Sequence, residues 1–230
     1  MKSILCIIPA RSGSRGLKNK NIKLLNKLPL IMYPYLIAKK SKLISDICVT
    51  SDSKKYLNIF DKKDVIKILR PKKIATSNSS VSDTILHAIS KIDKSYDYII
   101  LLEPTSPLTS PVEIDKALKF LINKKKGDTL VSVVSNPKFL SVFRVKINNN
   151  FRYIKNSKLK KNLNRQNFKP EYYFSGNFYI TKTSSFKKMK SFLTKKTFCF
   201  PIKKSIHTDI DNIYDFIYAE ALLKNRLYKF

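Results

Sequence analysis

The sequence predicts an α/β fold, three layers with a mostly parallel, Rossmann-like sheet between helices, in one domain of 230 residues. Three observations predict it. Short apolar runs alternate with segments of helical period through the first 135 residues, a pattern that builds a parallel sheet covered on both faces. The first apolar run ends in a basic loop that holds two of the chain's four glycines, Gly13 and Gly16. From Pro137 the alternation breaks, which reads as a small excursion over 137–174 before the chain returns to the sheet.

The elements follow in order. Ile4–Ile8 is a buried strand. After the basic loop, the apolar segment Leu28–Ala38 reads as a helix, centred on Leu30–Lys39. Strands Ile47–Thr50, Val65–Leu69, Tyr98–Leu102 and Leu130–Val134 alternate with helices near Ser53–Phe60, Ser82–Ile92 and Val112–Asn123. The last of these helices has a start signal. Ser110 can cap it, Pro111 suits the first turn, and Glu113 stands where a capping box closes. Within the excursion, Ser141–Ile147 and Phe151–Ile154 read as a hairpin around Asn148-Asn149-Asn150, and Lys155–Asn167 is polar and basic. Tyr172–Thr181 and Phe198–Ile202 are strand-like, and a helix runs from about Asn212 to Leu227.

Composition narrows the function. The chain has 46 Lys and Arg against 16 Asp and Glu, a formal net charge of +30. The excess is nearly all Lys, spread from Lys2 to Lys229, so short clusters such as Lys124-Lys125-Lys126 read as solvated faces. With no helix-turn-helix, zinc-finger or aromatic ribonucleoprotein motif, a nucleic-acid partner is not expected. The charge still favours polyanions such as nucleoside triphosphates. No apolar run approaches the roughly 18 residues that span a bilayer, so no membrane partner is expected. The start of the chain lacks a signal-peptide pattern. Cys6, Cys48 and Cys199 form neither a metal motif nor an even disulfide set, which suits buried reduced thiols and a cytoplasmic location.

Two segments carry chemistry. The loop Arg11-Ser12-Gly13-Ser14-Arg15-Gly16-Leu17-Lys18-Asn19-Lys20-Asn21 follows a strand and precedes a helical pattern, the arrangement by which α/β proteins hold phosphates. It is not a Walker A sequence. Asp209-Ile210-Asp211 places two carboxylates on one side of an extended segment, where they can hold Mg²⁺. The alternative is that Asp211 caps the last helix and Asp209 is merely exposed. Asp215, one helical turn beyond Asp211, reads as surface or supporting, and His87 as structural.

The stretch from Ile8 to Asn21 resembles the signature of the acylneuraminate cytidylyltransferases, the enzymes that make CMP-sialic acids. Further segments fall in that family's order: Leu69-Arg70-Pro71, Ala75 to Ser80 with Ser82-Asp83, Glu103-Pro104-Thr105-Ser106-Pro107-Leu108, Arg165-Gln166, Ser175-Gly176-Asn177-Phe178-Tyr179 and Asp209-Ile210-Asp211. The resemblance implies a sheet of the nucleotide-diphospho-sugar transferase type and a cytidylyltransferase that moves CMP from CTP to the anomeric hydroxyl of an acidic nine-carbon 2-keto sugar. It implies that Arg11, Ser14, Arg15 and Lys20 hold the nucleotide's phosphates, that Asn21 lies near the nucleotide, and that Arg70, Ser79 and Ser80 read cytosine. Glu103, Arg165, Gln166, Ser175, Tyr179 and Phe192 would form the sugar site. Asp209 and Asp211 would bind Mg²⁺ and act in catalysis with Arg11, Arg15 and Lys20. It also implies a homodimer through the 137–174 excursion. The rival readings are transfer to legionaminic, pseudaminic or 3-deoxy-manno-octulosonic acid, or a noncatalytic nucleotide binder.

This chain departs from the family pattern at the sugar end. Glu103 stands where Gln is usual, Thr109 where Arg is usual, and Ser175-Gly176-Asn177 where Asn-Gly-Ala is common. Ser77 stands where the family often has Asp. Ionised Glu only accepts hydrogen bonds, whereas Gln also donates, so Glu103 is expected to bear on which sugar is accepted.

Overall fold

A computed structural model of the chain describes residues 2–14, 16–61, 63–124, 127–136, 146–147, 153–154, 171–203, 207–225 and 227–228. Seven strands form the main sheet: β1 (Ile4–Pro9), β4 (Asp46–Ser51), β5 (Ile66–Leu69), β6 (Tyr98–Leu101), β7 (Thr129–Asn136), β10 (Glu171–Lys182) and β11 (Thr197–Pro201). Their order is β11-β7-β10-β6-β1-β4-β5, and β10 runs antiparallel to both its neighbours while the other pairings are parallel.

The apolar runs are continuous because both faces of the sheet are covered. Side chains alternate across the sheet, so β1 feeds two cores. Ile4, Cys6 and Ile8 pack on one face with residues of α1 (Met32–Lys40), α2 (Lys54–Leu57), α4 (Pro111–Asn123) and α6 (Ile213–Lys224). Leu5 and Ile7 pack on the other with Ile85 and Ala88 of α3 (Val81–Ser90) and Phe186 of α5 (Thr183–Met189). Burial also raises the Cys6 and Cys48 thiols, Cys48 to about 12, as befits inert core cysteines, whereas Cys199, expected to be buried, is exposed on the edge strand β11.

The structure corrects several boundaries. Leu28 and Pro29 are strand β3, paired with β2 (Leu24–Leu25), and α1 begins only at Met32. Asn26 and Lys27 both have positive φ, 44° and 69°, as a two-residue hairpin turn of this hand requires. Starting at Met32 also puts Pro34 in the first turn, where its missing N–H costs nothing. Helix α2 is four residues long rather than eight. Helix α5 was not expected, since only Thr183 and Phe186 of it are buried and no apolar period marks it. Strand β10 pairs Glu171–Phe174 with Asn136–Val133, so the sheet resumes before the expected end of the excursion at Phe174. Within the excursion, β8 (Lys146–Ile147) and β9 (Tyr153–Ile154) pair antiparallel, as the expected hairpin does. Residues 137–145, 148–152 and 155–170 of it lie outside the described residues.

Ser110 caps α4 by accepting from the Glu113 amide at 3.4 Å. A complete capping box forms instead on α6. Asn212 Oδ1 accepts from Tyr214 and Asp215 amides, and Asp215 Oδ2 accepts from the Asn212 amide at 3.0 Å.

Candidate active site

A cleft of about 560 Å³ opens beyond the carboxyl ends of β1, β5 and β6, where ligands of such sheets sit. Four segments line it. The basic loop contributes Arg11, Ser14, Gly16, Lys20 and Asn21, and the segment after β5 contributes Arg70, Thr76, Ser77 and Ser79. The segment after β6 contributes Glu103 and Thr105, and the acidic segment contributes Asp209 and Asp211.

The basic loop is held by an acceptor from the next strand end. Asp52, just past β4, accepts from the Ser12 amide at 2.9 Å and from the Ser12 hydroxyl at 2.6 Å. Burial pushes the Asp52 carboxyl up, but the Ser12 bonds and nearby Arg70 outweigh it and hold it below the usual carboxylate range. Asn21 is buried and donates Nδ2 to the Arg11 carbonyl at 2.9 Å, so its side chain ties the two ends of the loop together.

Arg70 is only 5% exposed. Its Nη1 donates to the Thr50 carbonyl at 3.3 Å, and its Nε has no protein partner among the described residues. Burial lowers its pKa, Asp52 opposes that, and Arg11 adds to it. A buried guanidinium with an unused donor on a cleft wall is primed for an acceptor on a ligand.

At the opposite wall, Ile210 is fully buried while Asp209 and Asp211 lie on the other side of the strand-like segment and line the cleft. This is the alternation that the sequence predicts. Asp211 does not cap α6, because Asn212 does. The Asp211 amide instead donates to Asp215 Oδ2 at 2.9 Å, which leaves its carboxylate toward the cleft. Thr105 fastens the segment from behind: the Ile210 amide donates to its carbonyl at 2.9 Å, and its side chain bonds Asp209.

Lys20 links the two walls. Its Nζ donates to the Ile210 carbonyl and lies 3.3 Å from Asp211 Oδ1. The loop can come this close because residue 16 is glycine. A Cβ there would stand 2.4 Å from the Asp211 carbonyl oxygen.

The carboxylates load one another. Burial first, then Asp209, raise Glu103 to about 7, with Lys20 opposing and Asp211 adding. Asp209 is also raised, by burial and by Asp211, against the Thr105 bond, Lys20 and His207. Tyr179 is pushed up to about 12 by burial and then by Glu103 and Asp209, yet it does not line the cleft, and its ring centroid lies 5.6 Å from that of Phe192 against the core.

Among the described residues, no cluster of three or more His, Cys, Asp or Glu side chains could hold a metal. Two neighbouring carboxylates at a cleft mouth still fit Mg²⁺, which takes one or two carboxylates and completes its shell with water and substrate phosphate.

The Cytidylyltransferase family model matches residues 5–229. The chain belongs to this family. It is 32% identical over 223 residues to an N-acylneuraminate cytidylyltransferase of Escherichia coli O18:K1:H7, covering 97% of this chain and 52% of that protein. It is 31% identical over 229 residues to a CMP-N,N'-diacetyllegionaminic acid synthase of Legionella pneumophila, covering 96% of each. The chain therefore spans about half the length of the first relative and nearly all of the second. A solved structure of a CMP:2-keto-3-deoxy-manno-octonic acid synthetase complexed with CTP shares the fold, with a TM-score of 0.72 at 14% identity over 97% of this chain and 99% of that one.

Against this cytidylyltransferase fold, the expected residues divide. Arg11, Ser14, Lys20, Asn21, Arg70, Ser79, Glu103, Asp209 and Asp211 line one cleft. Ser80 does not; its hydroxyl caps α3 by accepting from the Ser82 amide at 3.0 Å. Ser175 is buried with its hydroxyl bonded to Ser132 Oγ at 2.7 Å, away from the wall. Phe192 belongs to the core, its ring centroid 4.8 Å from that of Phe186 and 5.6 Å from that of Tyr179. Arg15, Arg165 and Gln166 lie outside the described residues. Sequence reasoning placed Ser51-Asp52 at a strand end that could converge on the basic loop but missed the Asp52 bonds to Ser12, the Thr105 brace and the Asn212–Asp215 cap. Only Asp52 gave a signal, as a polar residue at a strand's carboxyl end.

Proposed function

We propose that this chain transfers CMP from CTP to the anomeric hydroxyl of an acidic nine-carbon 2-keto sugar and releases pyrophosphate. The observation that carries the reading is the single cleft in which cations of the basic loop face the Asp209–Asp211 carboxylates. The loop supplies charge for the triphosphate: Arg11 and Lys20 neutralise the transferring and leaving phosphates. Arg70 offers its unused Nε at the end of the cleft farthest along the sheet, where a cytosine acceptor would satisfy it. The serine-bearing segment beside it supplies short polar donors.

In the reaction, a bond forms from the anomeric oxygen to the α-phosphorus as the bond to the bridging oxygen of pyrophosphate breaks. The hydroxyl's proton leaves to solvent or buffer. Asp209 and Asp211 would hold Mg²⁺, which when bound offsets triphosphate charge and polarises phosphoryl oxygens. Glu103 stands at the acidic end of the cleft and would meet the sugar.

The relatives named above act, by their names, on N-acylneuraminic and diacetyllegionaminic acids, and both belong in the acceptor panel with pseudaminic acid. The proposal includes a homodimer built through 137–174 and a cytoplasmic location; no helix among the described residues is long and apolar enough to cross a membrane. The test is pyrophosphate release from CTP with Mg²⁺ and each 2-keto acid in turn. Release with one nonulosonic acid is expected. Silence with every acceptor would overturn the proposal.

A further inference from the structure

Strand β10 carries an irregularity where it passes the acidic end of the cleft. Its register against β7 shifts between Phe174 and Tyr179, and Gly176 within the shift has φ +73°. Both neighbours of this glycine are pinned. Ser175 Oγ donates to Ser132 Oγ at 2.7 Å, and Asn177 Nδ2 donates to Thr109 Oγ1 at 3.0 Å. Thr109 is itself fixed, since its hydroxyl donates to the Ser106 carbonyl at 2.9 Å and its carbonyl accepts from the Tyr228 hydroxyl at 2.7 Å. Thr109 and Asn177 are each 1% exposed and neither lines the cleft. Between the pins, Gly176 faces the site. A Cβ there would lie 3.7 Å from Asp209 Oδ2 and 3.6 Å from Ser106 Oγ.

We infer that the buried Thr109–Asn177 hydrogen bond is a positioning device for the transfer reaction, setting where the Gly176 main chain stands against Asp209 at the acceptor end of the cleft. The inference rests on the proposed role of Asp209. It explains why two polar residues meet inside the sheet layer. Removing one partner leaves the other without this bond in a dry interior, whereas removing both takes away donor and acceptor together and leaves only the Ser106 carbonyl without its Thr109 donor. It also makes Thr109 and Asn177 one unit, although 68 residues separate them.

The experiment is a double-mutant cycle of Asn177→Ala and Thr109→Val, read as kcat, CTP KM and melting temperature. Each single change is expected to lower kcat roughly ten-fold or more, since sub-ångström misplacement at a reacting centre is costly. CTP KM should stay within about two-fold, because uniform nucleotide binding is untouched. The double variant should be no slower than the slower single variant. Thr109→Ser keeps the acceptor oxygen and should restore turnover, which a purely volumetric role for the methyl would not predict. Should Asn177→Ala fail to fold, Gly176→Ala decides: the neighbouring atoms leave room for the methyl, but the positive φ strains it and moves the bulge. Near-normal kcat in Gly176→Ala, or independent multiplying losses in the cycle, would overturn the inference. Absent turnover by the unmodified chain with every acceptor would overturn the proposed function, whereas an active unmodified chain with an equally active Asn177→Ala variant would overturn the positioning role alone.

Discussion

Lys20 and Asp211 hold the two walls of the cleft together before any nucleotide arrives: Nζ of one stands 3.3 Å from Oδ1 of the other. The Lys20 side chain is 13% exposed and that of Asp211 76%. A pair with one partner this exposed contributes roughly 0–1 kcal/mol, so the ammonium is easily drawn away toward a triphosphate. Lys20→Ala should therefore weaken CTP binding by about ten-fold or more, as loss of a charge-assisted contact does, with little change in melting temperature. Lys124→Ala is the control, since that ammonium lies 5.2 Å from the Phe120 ring on the surface and away from the cleft. Titration calorimetry with CTP separates the two. Equal losses would mean that the bulk charge of +30 gathers the nucleotide and that Lys20 has no special place.

The two glycines of the basic loop make a second contrast. A Cβ on Gly16 would collide with backbone, the Asp211 carbonyl oxygen 2.4 Å away, whereas a Cβ on Gly13 would meet nothing within 4 Å. Gly16→Ala should push the loop off the acidic segment, break the Lys20 contact and cost about 1–3 kcal/mol, the usual price of overpacking. Gly13→Ala should melt close to the unmodified chain. Matching melting curves for both variants would show that the loop can give way at Gly16 and that the close approach is not required.

How much of this was legible in the sequence depends on where each residue's partners lie. Strands β1, β4, β6 and β7 could be read because both faces are buried and their runs are largely apolar, whereas β5, at the sheet edge with only Ile68 buried, was marked by its apolar residues alone. The β2–β3 hairpin could not, because Leu24 to Ile31 is apolar except for Asn26 and Lys27, and such a short run has no period that separates strand from helix. Residues that line the cleft were marked by residue type and spacing. Those that act through the chain were silent: Ser12 and Asp52 are 40 residues apart, and nothing local announces their bond. The same blindness placed Ser175 and Phe192 at the sugar, when one hydroxyl clasps the sheet and one ring fills the core.

Asp209 and Asp211 carry the metal prediction. Asp209→Asn and Asp211→Asn each keep shape while removing an anionic oxygen, and neither changes the buried Ile210 between them. Each should fold and bind Mn²⁺ in the presence of CTP more weakly, with turnover reduced by about a hundred-fold or more if the ion supplies several kcal/mol of charge stabilisation. Water-proton relaxation of bound Mn²⁺ reads the site without requiring turnover. Unchanged Mn²⁺ binding and near-normal Mg²⁺-dependent activity in both variants would remove the two carboxylates from that role.

Glu103 joins stability to acceptor choice. Its carboxyl is raised from 4.5 to about 7, chiefly by burial and by Asp209. A raised carboxyl binds its proton more tightly in the folded chain than in the unfolded one. Its stabilising contribution is therefore complete below about pH 4.5 and is lost as pH rises toward 7, up to about 3 kcal/mol for a shift of this size. In metal-free buffer, Glu103→Gln should flatten that fall, so that the variant melts higher than the unmodified chain near pH 8 and the difference closes near pH 4. The same substitution restores a side chain that can donate as well as accept. Because Glu103 stands with Asp209 and Asp211 and not with Arg70, the change should reorder turnover efficiencies among N-acetylneuraminic, legionaminic and pseudaminic acids and leave CTP affinity within about two-fold. Lost CTP binding with an unaltered sugar ranking would assign Glu103 to the nucleotide, and a melting profile parallel to that of the unmodified chain would show that its proton is not held by the fold.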